Sequence, residues 1–366
     1  MLPLVIEPPE VPTVGAPTAR RRRRWVLAAA FGLLVSTLLG ASVVQVPYVA
    51  WAPGGATPLA GQISVRGAPA YPPKHPVAFT TVNVGPTSLL EALAGWLDDE
   101  VDVLPVQAAR GRRSEEEDRR YNAQLMDTSK LTAVAVALRY LGHPVTIRTS
   151  GAVVRQVVAG SPAAAALRLD DVIVAVDSQP VDVPDGLRGL LQVGGPGAAH
   201  TLTVERPAGT SRHVEISIRT VAAPDDPTRA IVGIAELEDR FTAFDFPFAV
   251  NIDTGDVGGP SAGLAFTLAV LDELTPGELT GGHRIAVTGT MSLDGTVGPV
   301  GGGAQKAFGV RDAGYEAFLV PPDERREVQA AVGRSVRVIA VTSLDDALAA
   351  IASLGGDVGS LRHATG

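Results

Sequence analysis

The stretch Trp25–Val46 holds 22 consecutive residues without a charged side chain, and it directly follows five arginines, Arg20–Arg24. As an α-helix it would be about 33 Å long at about 1.5 Å per residue, enough to cross the hydrocarbon core of a bilayer. Trp25 at one end, with Tyr48 and Trp51 beyond the other, stand where interfacial aromatic residues are typical. The sequence therefore predicts one transmembrane helix at residues 25–46.

The arginine run also predicts the orientation of this helix. Positive charge stays on the cytoplasmic side, so residues 1–24, a Pro-rich and disordered basic segment, are expected in the cytoplasm and residues 47–366 outside it. A cleaved signal peptide is the alternative, since Ala50-Trp51-Ala52 resembles a cleavage site. However, Pro53 follows directly, and the apolar stretch exceeds the ~7–15 residues of a signal sequence. We expect a single-pass protein of the cell membrane.

Charge and composition exclude several classes of function. The formal net charge of −8 provides no basic surface for nucleic acid. The absence of cysteine excludes disulfides, a cysteine nucleophile and thiolate metal sites. The six histidines show no metal-ligand spacing, and no G-x-x-x-x-G-K-[ST] motif occurs. We therefore expect no metal site, no other cofactor and no use of ATP.

The residue pattern divides the rest of the chain into segments. Residues 47–76 are rich in Pro, Gly and Ala and are predicted to form a linker, and residues 356–366 a flexible tail. Residues 144–221 contain short strand-like runs separated by Gly and Pro turns, which predicts a small β-rich domain. Strands and helices alternate over residues 222–355, an α/β pattern. Residues 77–143 contain a predicted strand and two amphipathic helices.

Ser261 lies in the glycine-rich run Gly258-Gly259-Pro260-Ser261-Ala262-Gly263. Two glycines let the backbone approach a ligand closely. A helix is predicted from Pro260 to Leu274, which would place Ser261 in its first turn, where the free N–H groups of residues 258–261 could hold an oxyanion. A serine at an ordinary helix start is the alternative interpretation of this run alone.

Lys306 is one of only three lysines in the chain, with Lys74 and Lys130. It lies in a predicted helix, Gly302–Ala313, among small and apolar neighbours. Arginine cannot lose its proton in a protein, whereas a desolvated lysine can. A neutral amine beside a serine hydroxyl is a general base beside a nucleophile. Taken alone, Lys306 also fits a surface lysine whose stem covers apolar residues.

Together the serine and lysine motifs resemble the Lon proteolytic domain (peptidase family S16). The serine motif is Gly259–Gly263, and the lysine motif comprises Ala286–Gly289, Gly295–Gly302, Lys306 and Gly314. The resemblance implies that Ser261 is the nucleophile and Lys306 the base of a Ser-Lys dyad. It also implies that Thr288 hydrogen-bonds the lysine and that Gly259 and Pro260 support the serine turn.

Two positions depart from the Lon pattern. Thr290 stands where the family often has Glu, and Gly258 stands where ATP-dependent members usually carry Asp. Both positions lie beside the candidate site, so they affect its fine geometry rather than the identity of the dyad.

Residues 144–221 resemble a PDZ domain of the bacterial protease type. The resemblance rests on Gly151–Val158, Gly160–Ala163 and Leu169–Asp177. Asp170 and Ser178 stand where that family prefers glycine, although Asp tolerates the left-handed conformation. The candidate loop for a C-terminal carboxylate is Leu141-Gly142-His143-Pro144. A β-rich module without a ligand is the alternative.

An anchor, a PDZ domain and a Lon-type domain without an ATPase resemble the membrane-anchored Lon-like proteases of Gram-positive bacteria. The implied fold class is an α/β (α+β) Lon-type proteolytic domain plus a small β-rich PDZ domain, preceded by one transmembrane helix. The implied function is ATP-independent serine endopeptidase activity on extracytoplasmic or membrane-associated proteins and peptides. Residues 77–143 faintly resemble the start of a Lon domain, which predicts that the PDZ domain is inserted into it. A homo-oligomer is compatible with the resemblance.

Two other functions fit parts of the sequence. Residues 259–263 satisfy G-x-S-x-G, the nucleophile elbow of α/β-hydrolases, but that fold needs a strand leading into the serine and a later histidine. Gly255–Gly259 is a poor strand end, and His363 lies in the predicted tail. A PDZ-containing scaffold or adaptor, or a chaperone-like holdase, with a non-proteolytic Lon-like domain is the other alternative.

Overall fold

A computed structural model describes residues 19–111, 113–206 and 213–363. Its helices are α1 (Ala19–Val43), α2 (Leu89–Gly95), α3 (Val106–Arg110), α4 (Glu115–Tyr140), α5 (Pro162–Ala166), α6 (Pro184–Leu191), α7 (Gly263–Leu274), α8 (Gly303–Asp312), α9 (Arg325–Val332), α10 (Leu344–Ser353) and α11 (Gly359–His363). Its strands are β1 (Gln45–Pro58), β2 (Ile63–Arg66), β3 (Ala78–Ser88), β4 (Asp102–Pro105), β5 (Thr146–Val157), β6 (Val172–Val176), β7 (Gln179–Pro180), β8 (Ala199–Glu205), β9 (Val214–Arg219), β10 (Val221–Ala222), β11 (Ala230–Ile231), β12 (Ile234–Asp245), β13 (Ala249–Ile252), β14 (Ile285–Val287), β15 (Thr290–Met291), β16 (Val297–Gly298), β17 (Ala317–Val320) and β18 (Arg337–Ala340).

Helix α1 contains a segment long and apolar enough to cross a membrane. That segment is Arg23–Val43, with a mean hydropathy of 2.1 and none of its most apolar window buried in the protein. The helix ends at Val43, so the predicted boundary at Val46 is wrong: Gln45 already begins β1. Residues 1–18 of the predicted basic segment lie outside the described residues.

The predicted linker at residues 47–76 is wrong over much of its length. Strand β1 pairs antiparallel with both β3 and β4, and β2 pairs with β13. The glycines that suggested a linker serve close packing instead. A Cβ on Gly54 would lie 2.2 Å from the carbonyl oxygen of Thr81, and a Cβ on Gly309 of α8 would lie 2.3 Å from the carbonyl oxygen of Gly54. Glycine composition marked tight contacts here, not chain flexibility.

One six-stranded sheet brings together residues from both sides of the β-rich segment. Its order is β18-β17-β14-β3-β1-β4, with β3, β14, β17 and β18 parallel and β1 antiparallel to β3. Helices α4 and α7 pack against each other over one face. Every residue of α7 is buried, and the Phe266 ring lies 5.8 Å from the Phe79 ring. This core fixes α7, and with it the residues that precede α7.

A second sheet, of order β12-β5-β6-β8-β9 with β7 beside β6, forms the β-rich unit with α5 and α6. Ile173, Leu187 and Leu202 are fully buried in its core. Strand β12 follows the predicted boundary at residue 221, so this unit extends further along the chain than expected. Asp170 and Ser178 adopt φ values of 68° and 67°, the left-handed conformation typical of glycine.

The predicted tail at residues 356–366 is packed where the structure describes it. Residues 359–363 form α11, and Leu361 is buried in the same core as α7. Residues 364–366 lie outside the described residues.

Candidate active site

Ser261 lies in a turn that precedes α7, not in its first helical turn as predicted. The helix begins at Gly263, with Ala262 as its N-cap residue. The carbonyl oxygen of Ser261 accepts hydrogen bonds from the Gly289 N–H at 2.9 Å and from the Thr288 hydroxyl at 3.2 Å. The serine turn is therefore tied to the loop that follows β14.

Helix α4 holds the other side of the serine turn. The Gly259 N–H donates to the carbonyl oxygen of Asn122 at 2.8 Å, and the Ser129 hydroxyl donates to the carbonyl oxygen of Pro260 at 3.2 Å. Gly259 has a φ of +91°, which a residue with a side chain rarely adopts. Glycine at this position lets the turn reach the helix backbone.

This contact changes the expected oxyanion donors. The N–H of Gly259 is already bonded to Asn122, and Pro260 has no N–H to donate. Within the part of the chain that the structure describes, the N–H groups of Ser261 and Ala262 have no hydrogen-bond acceptor. Of the predicted donors at residues 258–261, the N–H groups of Gly258 and Ser261 therefore remain available to an oxyanion among the described residues, and Ala262 provides a further one.

Lys306 is buried near the start of α8. Only 3% of the residue is exposed, so it is not the surface lysine of the alternative interpretation. Its Nζ donates to the Thr288 hydroxyl at 3.2 Å. Burial lowers the pKa of Lys306 to about 8, because the charged amine loses its hydration, and the negative charge of Glu324 partly opposes this. About a tenth of the amine is therefore neutral at pH 7, and about half at pH 8.

Thr288 links the two candidate catalytic residues. Its hydroxyl accepts from the Lys306 amine and donates to the Ser261 carbonyl oxygen, and the residue is fully buried. No direct hydrogen bond joins Ser261 Oγ to Lys306 Nζ within the described residues. Catalytic hydrogen bonds are often long in ligand-free structures and tighten when substrate binds.

The surroundings of Ser261 do not match a nucleophile elbow. Strand β13 ends at Ile252, and residues 253–260 form loops and turns, so no strand leads into the serine. His283 pairs with Glu316 at the surface. The lysine, not a histidine, is the described titratable group joined to the serine turn.

A cavity of about 940 Å³ lies beside the serine turn. Its walls include Trp51, Val82 and Met126 on one side and Gly255–Gly258 on the other. A second cavity, of about 520 Å³, separates α4 from β12 and contains Pro260 and Met291 in its lining. Both cavities reach the loop that carries Ser261, and each is large enough to admit a segment of polypeptide.

Tyr121 connects helix α4 to the β-rich unit. Its ring lies 3.8 Å from the guanidinium of Arg113 and 5.1 Å from that of Arg155. Arg155 of β5 forms ion pairs with Asp170 and Glu238. The helix residue next to Tyr121 is Asn122, which bonds the serine turn.

The predicted carboxylate loop, Leu141-Gly142-His143-Pro144, lies at the end of α4. Leu141 is only 3% exposed, within the same core as α7, and the His143 ring packs edge-on against Phe248 at 5.1 Å. The side chains of Leu141 and His143 therefore pack against other residues of the protein. A groove of about 520 Å³ lies elsewhere, between α6 and residues 226–237. Sequence reasoning missed it because β12 joins this sheet from beyond the expected domain boundary.

Two family models match the chain. Residues 239–353 match the Lon protease (S16) C-terminal proteolytic domain, and residues 153–206 match the PDZ domain. The Lon protease of Desulfatibacillum aliphaticivorans is 33% identical over 113 residues, covering 30% of this chain and 13% of that protein. The Lon protease of Campylobacter concisus is 31% identical over 117 residues, covering 31% and 14%. The chain thus spans only a small part of the length of these relatives.

Solved structures of other proteins are similar to part of this chain. A solution structure from Geobacillus thermodenitrificans is 23% identical, with a TM-score of 0.21, and covers 24% of this chain and 95% of its own. The PDZ domain of the SdrC-like protein from Listeria monocytogenes is 17% identical, with a TM-score of 0.21, and covers 24% and 86%.

Proposed function

We propose that this chain, which carries a Lon protease (S16) C-terminal proteolytic domain and a PDZ domain, is an ATP-independent serine endopeptidase anchored in the membrane. The observation that carries the proposal is the buried Lys306 amine, bonded to the Thr288 hydroxyl, which in turn bonds the carbonyl of Ser261. A base with a lowered pKa beside a serine is the arrangement that nucleophilic catalysis requires.

The proposed reaction is peptide hydrolysis through an acyl-enzyme. Neutral Lys306 accepts the hydroxyl proton of Ser261 as Oγ attacks the scissile carbonyl carbon. The N–H groups of Ser261 and Ala262 stabilise the oxyanion of the tetrahedral intermediate. Lys306 then gives its proton to the leaving amine, and the C–N bond breaks. In the second half, Lys306 takes a proton from water, whose oxygen attacks the ester carbonyl carbon. The bond between that carbon and Oγ then breaks, and Lys306 returns the proton to Oγ of Ser261.

We further propose that the proteolytic domain is assembled from residues on both sides of the PDZ domain. Strand β3, which precedes the PDZ domain, pairs with β14, which follows it. Helix α4 contacts α7 and bonds the serine turn through Asn122. A proteolytic domain cut at residue 144 would lack one wall of its own site.

The PDZ domain is proposed to recruit extended peptides. Strand β12 is the last strand of its sheet, so among the described residues no strand pairs with its outer edge, and the groove beside α6 runs along its beginning. A peptide can add to such an edge by main-chain hydrogen bonds. Protein or peptide substrates are the partners that this groove fits.

The membrane anchor and the extracytoplasmic location of the site rest on α1. The most apolar part of α1 is not buried within the protein, and the arginine run precedes that part. Under the positive-inside rule, the proteolytic and PDZ domains lie outside the cytoplasm.

The function is tested with the full chain in detergent micelles. Hydrolysis of an unfolded protein is followed without ATP and with EDTA, for the wild type, Ser261→Ala, Lys306→Arg and the control Lys74→Arg. Arginine keeps the charge but cannot act as a base. We expect loss of hydrolysis in the first two variants and wild-type rates in the control. Hydrolysis that persists in Lys306→Arg would contradict the dyad, and an inactive wild type would favour the scaffold.

A further inference from the structure

Helix α2 carries an exposed apolar face. Leu89 and Leu93 lie on one side of α2, and Trp96 and Leu97, in the turn that directly follows the helix, continue the same spacing. Their exposed fractions are 39%, 47%, 56% and 89%. Neighbouring large apolar residues with this exposure are uncommon on a soluble surface and mark an interaction site. We call these four residues the α2 face.

The packing of α2 fixes the direction of this face. Gly95, on the opposite side of the helix, is buried. A Cβ on Gly95 would lie 2.7 Å from the side chain of Val103 in β4. Ala92, three residues earlier, is also buried. The helix start is held by a capping box between Ser88 and Glu91. The helix therefore cannot rotate its apolar side inward without losing these contacts.

The α2 face lies directly beside the end of the membrane helix. The Leu89 N–H donates to the carbonyl oxygen of Val44 at 2.9 Å, and Val44 is the first residue after α1. Val43 and Val44 are themselves 75% and 55% exposed. The Trp96 ring packs edge-on against Tyr48 at 5.7 Å. Aromatic rings of this kind are typical at the level of lipid headgroups.

We propose that the α2 face inserts into the outer interface of the same bilayer that α1 spans. This inference rests on the proposed membrane anchor. Lipid is the occupant that these contacts favour. The apolar helix α1 ends at Val43, and the next residue, Val44, accepts the hydrogen bond from Leu89, so the α2 face lies where the proposed anchor leaves the bilayer. For a second copy of the chain or another protein, no such contact places the partner next to α2.

The docked helix defines where cleavage occurs relative to the membrane. Strand β3 runs from Ser88, the N-cap of α2, towards the serine turn, and its residues Pro86, Val84 and Val82 line the cavity beside Gly258. At about 3.3 Å per residue, that cavity opens roughly 7–20 Å from the start of α2. A cavity this close to the membrane fits substrates that are membrane-proximal segments of membrane proteins, or chains that emerge from the bilayer.

The absence of cysteine from the chain makes a depth measurement direct. Single nitroxide labels are placed at Leu93→Cys and Leu97→Cys in the full chain, reconstituted into dioleoylphosphatidylcholine vesicles. Leu34→Cys in α1 reports insertion of the anchor, and Arg326→Cys on exposed α9 reports a position in water. Collision of each label with oxygen, which concentrates in lipid, is compared with collision with a water-soluble nickel chelate.

We expect the labels at 93 and 97 to lose nickel collisions and to gain oxygen collisions, to a degree between those at 326 and 34. Labels at 93 and 97 that behave like 326, with 34 in lipid, would overturn the docking and leave the anchor intact. Labels shielded from both reagents would show a protein partner on the α2 face and also overturn the proposal. A label at 34 that remains in water would overturn the anchor and the docking together.

Discussion

The carbonyl oxygen of Asn122 accepts a hydrogen bond from the N–H of Gly259 at 2.8 Å. The two residues are far apart in sequence, on opposite sides of the PDZ domain. Through this bond, helix α4 fixes the backbone two residues before Ser261. The position of the serine is thus decided by a helix that precedes the PDZ domain.

The first prediction concerns the contact between α4 and the serine turn. A Cβ on Gly258 would lie 3.0 Å from the Asn122 Cβ, so Gly258→Ala must push the turn or the helix aside by a few tenths of an ångström. We expect kcat to fall by about tenfold, since small misplacement of a catalytic group is costly. Steady-state kinetics on a peptide substrate measures this. The control is Gly85→Ala, where an added Cβ meets no atom within 4 Å; equal losses in both variants would contradict the prediction.

The second prediction is the pH dependence of activity. The pKa of Lys306 is lowered to about 8 by burial, and only the neutral amine can accept the serine proton. We expect kcat/KM to rise about tenfold per pH unit below 8 and to level off above it. A profile of kcat/KM from pH 6 to 10 measures this. A flat profile over that range would exclude Lys306 as the base.

The third prediction separates the role of the Thr288 hydroxyl from its packing. Thr288→Val keeps the shape but removes the acceptor of Lys306 and the donor to the Ser261 carbonyl. Loss of such buried hydrogen bonds, at about 1–3 kcal/mol, predicts a fall of about 10- to 100-fold in kcat. The pKa seen in the residual pH profile should also move below that of the wild type, because the charged amine loses an acceptor.

Thr288→Ser is the matched control for this substitution, since it retains the hydroxyl. We expect it to recover most of the rate and to restore the wild-type pH profile. A Thr288→Val enzyme with an unchanged profile and rate would show that the hydroxyl does not position the lysine.

The fourth prediction is that Lys306, the proposed catalytic base, destabilises the fold. The pKa of Lys306 is about 8 in the folded protein against 10.5 for an exposed lysine, so the unfolded state binds more protons between these values. Stability from this group therefore increases as the pH rises from about 8 to 10.5 and is lowest below 8. We expect Lys306→Met to be inactive yet more stable at pH 7, by up to about 3 kcal/mol.

Thermal unfolding at pH 7 and at pH 10 tests this, with Lys74→Met as the exposed control. The difference between Lys306→Met and the wild type should shrink at the higher pH. A variant that unfolds at a lower temperature than the wild type at pH 7 would contradict the proposed cost of burying the amine.

The fifth prediction concerns a buried carboxyl group at the end of α7. Burial raises the pKa of Asp272 to about 7, although its Oδ1 accepts from the Leu279 N–H at 2.8 Å. A raised pKa favours the fold at low pH and loses that contribution as the pH rises through 7. We expect Asp272→Asn, which keeps the acceptor, to raise stability above pH 7 by up to about 4 kcal/mol.

The measurement is the unfolding midpoint of Asp272→Asn and wild type between pH 5 and 9, with the exposed substitution Asp182→Asn as control. The two curves should separate between pH 5 and about 7 and run parallel above it, where the carboxyl group is ionised in both the folded and the unfolded state. Curves that are parallel between pH 5 and 7 as well would show that Asp272 does not titrate in this range.

Local pattern in the sequence was sufficient for several features of this protein. The uncharged stretch predicted a helix long enough to cross a membrane, and the structure has helix α1 there. The serine and lysine motifs predicted the Lon-type domain that the family model matches at residues 239–353. Strand and turn spacing predicted a small β-rich domain, and its motifs resemble the PDZ family whose model matches residues 153–206. These features depend on residues close together in the chain, so they can be predicted from periodicity and motif spacing.

Contacts between distant residues decided what the sequence did not show. The glycine of a supposed linker, Gly54, proved to be a packing contact with Gly309, and the expected oxyanion donor Gly259 proved to be bonded to Asn122. The exposure of Leu97 and the burial of Lys306 likewise follow from which surfaces meet. Composition and spacing describe a residue and its neighbours in sequence, whereas desolvation, hydrogen-bond partners and close packing depend on the residues that the fold brings to it from elsewhere.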